Sequence, residues 1–217
     1  MLKRNLDIAL ALAGLVLLAP MLLFLAIAVR LSSSGPAFYR GVRVGVNGKL
    51  FRIVKLRSMV VNADALGASC TSASDPRITP IGRWLRKYKL DELPQVFNVL
   101  KGDMSFVGPR PEVERYVALF NEEERRILSV RPGITDWATF WNSNEDAILA
   151  GRSNPERAYL EELRPQKIRL QLKYVRERNL WIDFRILLAT VILVLKRCFG
   201  VGSQDRSRMQ HFISRES

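Results

Sequence analysis

Histidine and cysteine are nearly missing from this sequence: one histidine, His211, and two cysteines, Cys70 and Cys198, stand among 217 residues. The cysteines lie far apart with no CxxC pair, and His211 sits in a polar tail, so there is no basis for a zinc site or a disulfide framework. A reducing, cytosolic setting is the simpler reading. Internal repeats are missing as well, which excludes a solenoid and leaves one globular unit, with at most a small appendage. Acidic residues are scarce beside basic ones. Against 34 Lys and Arg there are 21 Asp and Glu, a formal net charge of +13. An excess of that size calls for an anionic partner, whether nucleic acid, an acidic membrane surface or a phosphorylated small molecule.

What the chain does have is a long apolar run. From Ile8 to Val29, IALALAGLVLLAPMLLFLAIAV gives 22 residues without a charge. As a helix it reaches roughly 33 Å, enough to match the hydrocarbon core of a bilayer. Membrane contact is thereby favoured over nucleic acid. A signal peptide competes, with Lys3 and Arg4 as its basic start and Ala26-Ile27-Ala28 resembling a cleavage site, but the run exceeds the usual apolar length and carries Pro20 near its centre. A buried core helix is the other alternative, disfavoured by the length and uniform apolarity. Pro20 removes an amide donor and presses on the Val16 carbonyl, so a kink is expected at Ala19-Pro20. Lys3 and Arg4 precede the run; Arg30, Arg40 and Arg43 follow it. Positive flanks stay on the cytoplasmic side. A re-entrant hairpin leaves both flanks there, and is preferred to a straight span, which does not.

After Arg30, SSSGP ends the helix, and AFYRGVRVGVNGKLFRIVKLRSM alternates apolar and basic residues around Asn47-Gly48, the signature of a β-hairpin with a type I′ turn. Its second strand ends in Lys55-Leu56-Arg57, which puts two cations on one face, either for a ligand or as a solvated edge. Gly67 to Pro80 lacks any period and is expected to be a loop, long enough for a flap over a site. IGRWLRKYKL sets Arg83, Arg86 and Lys87 beside Trp84, Leu85 and Tyr88. That suits an amphipathic helix packing on a core, or one seated in anionic headgroups. Tyr159 to Arg178 predicts an amphipathic helix or helix pair broken at Pro165. Ile186 to Leu195 is too short to span and is expected to be a core helix or a second surface-seated one. The Ser- and Arg-rich tail begins at Gly200.

The densest stretch is YKLDELPQVFNVLKGDMSFVGPRPE, from Tyr88 to Glu112. Two adjacent carboxylates, Asp91 and Glu92, stand before a predicted helix from about Leu93 to Leu100, with Pro94 in its first turn. On these residues alone Asp91 is a normal helix cap, its charge favoured by the helix terminus. Downstream, Gly108-Pro109-Arg110-Pro111 fixes the backbone on both sides of a guanidinium, which suits bidentate phosphate recognition. With Lys55 and Arg57, a phosphate-rich substrate has three candidate cations. Carboxylates near phosphates repel them unless a divalent cation lies between, and magnesium is ordinarily held by one or two carboxylates plus phosphate oxygens. Phosphoryl transfer is the chemistry these residues suit.

These segments, with KRNLDIALALAGLVLLAP at the start, RPGIT in the middle and DFRILLATVILVLK near the end, resemble the bacterial sugar transferases known as monotopic phosphoglycosyl transferases, in their short form. The resemblance implies an α+β fold, mostly α: a kinked re-entrant membrane helix over residues 1–30, a catalytic domain over 31–199 with a small β-hairpin and amphipathic interface helices, and a polar tail over 200–217. It implies that Asp91 attacks the β-phosphate of a UDP-sugar and releases UMP, after which polyprenol (undecaprenyl) phosphate takes the phosphosugar from the covalent intermediate. Glu92 corresponds to the Mg2+-binding partner and Arg110 to a residue engaging substrate phosphate or nucleotide. Lys55, Arg57 and Arg86 occupy matching basic positions for substrate binding. The implied location is the bacterial inner membrane, with the globular domain on its cytoplasmic face against anionic lipid. No nucleic-acid partner is expected, and self-association into a homo-oligomer is left open. Splitting one displacement into two lets one small site serve a soluble donor and then a lipid acceptor.

The chain departs from that pattern twice. Many members carry Ser-Pro at the kink, where this chain has Ala19-Pro20, so the carbonyl freed by proline is satisfied otherwise. After RPGIT many continue Gly-Trp-Ala-Gln, but here Asp136-Trp137-Ala138-Thr139-Phe140 follows, then an acidic segment with Asn144, Glu145 and Asp146. No sugar specificity carries over. A conventional glycosyltransferase releasing UDP and a basic, membrane-tethered binding module without catalysis are the alternatives; the second leaves the long Asp-Glu to Gly-Pro-Arg-Pro segment without a purpose.

Overall fold

A long apolar helix, α1, runs from Leu2 to Ser32 in a computed structural model that describes residues 1–63, 75–142, 148–150, 152 and 154–198. Among the described residues it is the one helix long and apolar enough to cross a membrane. It ends two residues beyond the boundary expected at Arg30, and its backbone stays helical through Pro20, which with Ala19 is exposed. Both of its ends rest on the rest of the protein. At the amino end Arg4 donates to the carbonyls of Val99 (2.6 Å) and Leu100 (2.8 Å). Lys3 donates to Asp183 (2.6 Å) and to the Val107 carbonyl (3.1 Å). Asp7, buried, accepts from Ser105 Oγ and the Phe106 amide, each at 3.1 Å. At the other end Leu25 and Val29 pack with Leu56 and Leu85.

The expected hairpin forms. Strand β1 (Phe38–Val44) runs antiparallel to β2 (Leu50–Leu56), with Phe38 opposite Leu56 and Val44 opposite Leu50. Asn47 and Gly48 take φ of 55° and 77°, and the Lys49 amide donates to the Val46 carbonyl at 3.2 Å, the geometry of a type I′ turn. Helix α2 (Pro80–Lys87) is capped by Thr79, whose hydroxyl accepts from the Gly82 amide at 3.0 Å. A 3-10 segment, Leu90–Gln95, leads into α3 (Val96–Lys101).

Strand β3 (Ser105–Val107) then pairs in parallel with β4 (Gly133–Thr135), across α4 (Glu114–Val117) and a 3-10 turn at Glu124–Ser129. Short helices α5 (Trp137–Trp141) and α6 (Pro155–Ala158) follow, then a π turn at Tyr159–Leu163, α7 (Arg164–Glu177) and α8 (Leu180–Cys198). The mostly helical α+β class stands as expected. Val107, Trp137, Phe140, Leu170, Tyr174 and Ile186 form the core between β3, α5, α7 and α8. A second cluster joins Ala11 of α1 to Phe51, Ile53, Val96, Val99 and Met104.

Pro165 does not break its helix. The π turn directly before it keeps the chain helical and accommodates the amide donor that the proline lacks. The apolar run from Ile186 is part of a 19-residue helix that is two-sided. Ile186 is fully buried, whereas Trp181, Phe184, Leu188, Ile192 and Leu195 are exposed. In α2, Leu85 enters the core while Trp84 faces outward. Most of the expected flap loop lies outside the described residues, but Ile78 at its far end bridges to Met59. Cys70, the acidic stretch with Asn144, Glu145 and Asp146, and the polar tail over 200–217 with His211 also lie outside them.

Candidate active site

The carboxylate pair is placed by a turn, not by a helix end. Helix α2 stops at Lys87, and Lys89 enters the left-handed region (φ 58°), an uncommon conformation for a side-chain-bearing residue. The chain thereby swings into the 3-10 segment with Asp91 and Glu92 in its first turn. The helix expected from Leu93 starts only at Val96. Asp91 is 6% exposed, and its Oδ1 has no hydrogen-bond partner. Burial pushes its carboxyl above the ordinary range, the Glu92 charge adds to the shift, and Lys55, Lys89 and Arg86 offset it only in part. The expectation of a helix terminus favouring the Asp91 charge is therefore corrected: desolvation outweighs it.

Glu92 has the opposite fate. Lys55, on β2, donates to its Oε1 at 2.8 Å. Arg110 donates from Nη1 to Oε2 at 2.9 Å and from Nη2 to Oε1. Burial works against the charge, but the Arg110 guanidinium and the Lys55 ammonium outweigh it and hold Glu92 well below the usual carboxylate range. Burial in turn lowers the Lys55 pKa, with Glu92 opposing the shift. Two cations thus flank one firmly ionised carboxylate, an arrangement with positive charge to offer an anionic ligand.

Arg110 is aimed by its backbone. Gly108 donates to Thr135 O and Gly133 to Pro109 O, each at 3.0 Å, so GPRP and RPGIT are two edges of one parallel pairing. The two glycines touch: a Cβ on Gly133 would lie 2.1 Å from the Gly108 nitrogen. Asp136, wholly buried, completes the mount. Its Oδ2 accepts from the Arg110 amide and from Gln171 Nε2, both at 3.1 Å, while Oδ1 caps α5 through the Thr139 amide at 2.6 Å. Sequence reasoning placed Asp136 only as a departure; its spacing one residue after RPGIT, before Trp137-Ala138-Thr139, is the cap signal that was there to find.

These groups line one cavity of about 1310 Å³, which also takes in Arg86, Arg57, and Leu10, Gly14 and Leu18 of α1. Drug-sized ligands fill roughly 300–1,000 Å³, so the space exceeds one such ligand. Arg57 lines it too, but its guanidinium has partners of its own. Strand β2 ends at Leu56, and the Arg57 guanidinium is turned to the end of α1, donating to the carbonyls of Ser33 (2.8 Å) and Ser34. The structure thus gathers Lys55, Arg57, Arg86, Asp91, Glu92 and Arg110 around one cavity, with the Arg57 guanidinium also donating to the carbonyls just past the end of α1. Ala19 and Pro20 do not line the cavity. A second polar cluster, unforeseen from sequence, borders it: Glu112 Oε1 accepts from Tyr159 Oη at 2.8 Å and from Lys167. Burial opposes the Glu112 charge, yet Lys167 and Tyr159 draw its pKa down.

Comparison with known proteins agrees with this geometry. The family model described as bacterial sugar transferase matches residues 1–197. The chain is 38% identical over 200 residues to the UDP-glucose:undecaprenyl-phosphate glucose-1-phosphate transferase of Escherichia coli (strain K12), covering 88% of this chain and 39% of that protein. It is 37% identical over 200 residues to the UDP-N-acetylgalactosamine-undecaprenyl-phosphate N-acetylgalactosaminephosphotransferase of Aeromonas hydrophila, covering 89% and 43%. To the UDP-glucose:undecaprenyl-phosphate glucose-1-phosphate transferase of Caulobacter vibrioides it is 39% identical over 193 residues, covering 87% and 68%. The chain therefore spans less than half the length of the first two relatives. With its long apolar helix, its carboxylate pair and both halves of the GPRP and RPGIT pairing inside the matched region, this chain belongs to the bacterial sugar transferase family.

Proposed function

We propose that the chain moves a sugar 1-phosphate from a UDP-sugar to undecaprenyl phosphate, releasing UMP, as the first membrane step of an exopolysaccharide, capsule or related glycoconjugate. One observation carries this reading above all: a buried carboxyl with an unpartnered oxygen, Asp91 Oδ1, beside a carboxylate gripped by two cations, in a cavity that also touches the membrane helix. The printed names of the relatives support it, each naming an undecaprenyl-phosphate transfer.

In this reading an Asp91 oxygen attacks the β-phosphorus of the donor. A carboxyl O–P bond forms, the bond from that phosphorus to the bridging oxygen breaks, and UMP leaves with the bridging oxygen. A phosphate oxygen of the polyprenyl acceptor then attacks the same phosphorus and returns the Asp91 carboxylate, giving a polyprenyl diphosphate sugar. Lys55, Arg86 and Arg110 orient and neutralise donor phosphates. Magnesium fits these residues, because the offered atoms are carboxylate oxygens, one without a partner, and such ions are completed by substrate phosphate. Glu92, with Asp91 beside it, would hold the ion, which supplies charge neutralisation to the donor diphosphate.

The membrane half of the reading is a re-entrant α1, kinked at Ala19-Pro20, with the globular part on the cytoplasmic face of the inner membrane against anionic lipid. The anchoring of both helix ends to one body supports it. Incubating membranes that carry the chain with a panel of UDP-sugars and undecaprenyl phosphate tests the activity. UMP and a lipid-linked product are expected; UDP would favour a conventional glycosyltransferase instead, and no nucleotide release would leave only a binding module. Cysteine labelling in intact cells tests the topology, since a re-entrant helix shields both of its ends.

A further inference from the structure

The cavity has a second polar wall that the phosphoryl chemistry leaves idle. Glu112 lines it, with Tyr159 of the π turn, Lys167 of α7, and Thr139 and Asn142 at the end of α5. Glu112 is mounted through both its backbone and its side chain. The Val44 amide of β1 donates to its carbonyl at 3.0 Å. Tyr159 Oη donates to Oε1 at 2.8 Å, and Lys167 donates to the same oxygen. Lys167 also donates to Tyr159 Oη at 3.1 Å, which directs the phenol proton at Glu112. Among the described residues no donor reaches Oε2, and the Glu112 side chain keeps 14% of its surface exposed.

A buried ion pair of this kind adds little net stability, because desolvation cancels most of the attraction. What it supplies is a rigid acceptor that stays charged: burial opposes the Glu112 charge, but Lys167 and Tyr159 outweigh it and draw the pKa down. An ionised carboxylate can only accept hydrogen bonds. A ligand at Oε2 must therefore donate, and phosphate oxygens are repelled. The uncharged donors of a UDP-sugar are its hydroxyls, on the hexose and on the ribose, and the imide of its base. Carboxylates recognise ribose in other folds, so the placement has to decide. Pro111 keeps Arg110 out of the helical region, so the segment is extended and the Cα atoms of Arg110 and Glu112 lie roughly 6–7 Å apart. With the β-phosphate at Asp91 and Arg110, the group it carries directly is the hexose. The ribose and base lie beyond another phosphate.

We infer that Glu112 is a specificity-determining residue that accepts a hydrogen bond from a ring hydroxyl of the donor's hexose, and that Tyr159 and Lys167 are the residues that position it. This rests on the function proposed above. A site built to accept from one hydroxyl rejects the analogue that lacks it, because the acceptor is then left desolvated and unpaired. A tie that merely fastened α7 to the Arg110 segment would instead serve every donor alike.

The test uses the full chain in lipid nanodiscs, the UDP-sugar it turns over best, the monodeoxy analogues of that donor with each hexose hydroxyl removed in turn, and UMP as product inhibitor. Two substitutions are compared: Glu112→Gln, and Tyr159→Phe, which keeps the ion pair. Glu112→Gln is expected to raise KM for the parent donor roughly tenfold to a hundredfold, as for loss of a hydrogen bond to a charged group, with little change in kcat. Tyr159→Phe should move KM the same way by a smaller factor. With one deoxy analogue the unsubstituted chain and Glu112→Gln should have the same KM, which identifies the hydroxyl that Glu112 reads. Inhibition by UMP, which carries the ribose and base but no hexose, should be unchanged. An unaltered KM in Glu112→Gln would overturn the inference, and so would an equal loss with the parent and every deoxy analogue. Weakened UMP inhibition would overturn it too, by moving the carboxylate to the nucleoside. Calorimetric titration of parent and deoxy donors into Asp91→Asn, with and without Glu112→Gln, reads the same preference without turnover. If no donor releases UMP, the proposed activity fails and the donor that binds best is titrated instead. Selective weakening of the parent donor then still supports the role of Glu112, and its absence overturns it.

Discussion

Arg110 forks onto Glu92, donating from both terminal nitrogens to the two carboxylate oxygens. Lys55 joins from the hairpin, so one carboxylate keeps two cations in one corner of the cavity. Glu92→Gln removes that hub and leaves two half-buried cations facing each other. A loss of about 2 kcal/mol is expected at neutral pH, since breaking a sheltered pair exposes the remaining charges to each other. The sign with pH follows from the lowered pKa of Glu92. Its contribution is present above the unfolded-state value and fades as pH falls through the folded one, so thermal denaturation of the two proteins should converge on strong acidification. Turnover and its response to magnesium should weaken together; an unchanged metal titration would remove Glu92 from the metal-binding role.

Asp91 predicts the reverse balance. Its pKa is raised by burial, so the folded state prefers the protonated form and keeping it ionised at neutral pH costs stability. Asp91→Asn should melt at a higher temperature than the unsubstituted chain near neutrality, with the gap closing as pH falls through the raised pKa. Transfer should drop by roughly a thousandfold or more, as for loss of a covalent nucleophile. The acid limb of the unsubstituted enzyme's kcat/KM profile should lie above the ordinary aspartate range. A stable variant with near-normal turnover would take the nucleophile role from Asp91.

Lys55 and Arg57 sit two residues apart but answer to different parts of the molecule. Arg57→Met strips donors from the Ser33 and Ser34 carbonyls just past α1 and should lower stability by about 1–3 kcal/mol, with faster proteolysis around Ser32 to Ser34. Lys55→Met should instead reduce turnover and leave that proteolysis unchanged. Reversal of the two patterns would show that Arg57, and not Lys55, serves the substrate.

Gly133→Ala tests the mounting of Arg110 at a distance from the cavity. The added methyl would meet the Gly108 backbone at 2.1 Å, where neither strand has a flexible side chain to move aside. Destabilisation of about 3 kcal/mol or more is expected from overpacking at this crossing, measured by chemical denaturation in detergent. A variant of full stability would show that β3 and β4 separate readily.

Much of this was legible in the residues themselves. The hairpin announced itself by alternation and Asn47-Gly48, and α1 by its uncharged length. The site was visible as a dense sequence of unusual neighbours, Asp91-Glu92 and the proline-framed Arg110. What escaped was decided across long sequence separations. Whether the Asp91 charge is favoured depends on how deeply the 3-10 segment is buried, and local pattern gives no measure of that. Lys55 and Arg57 share a face only while the strand lasts, and it ends between them. Lys3 and Arg4 look like a membrane-flanking pair by composition; their donors instead meet carbonyls about 95 to 104 residues away. The partnership of Glu112 with Tyr159 and Lys167 is of the same kind, invisible until the chain has folded.

A beam held at both ends yields at midspan. Because α1 is fastened by Lys3, Arg4 and Asp7 at one end and by Leu25 and Val29 at the other, a force that bends it falls chiefly on the turns between these fastenings, from Gly14 to Leu18, where Leu15 packs on the body. Gly14 and Leu18 in those turns line the cavity that also holds Asp91 and Glu92, so a bend in the middle of α1 would change the shape of that cavity.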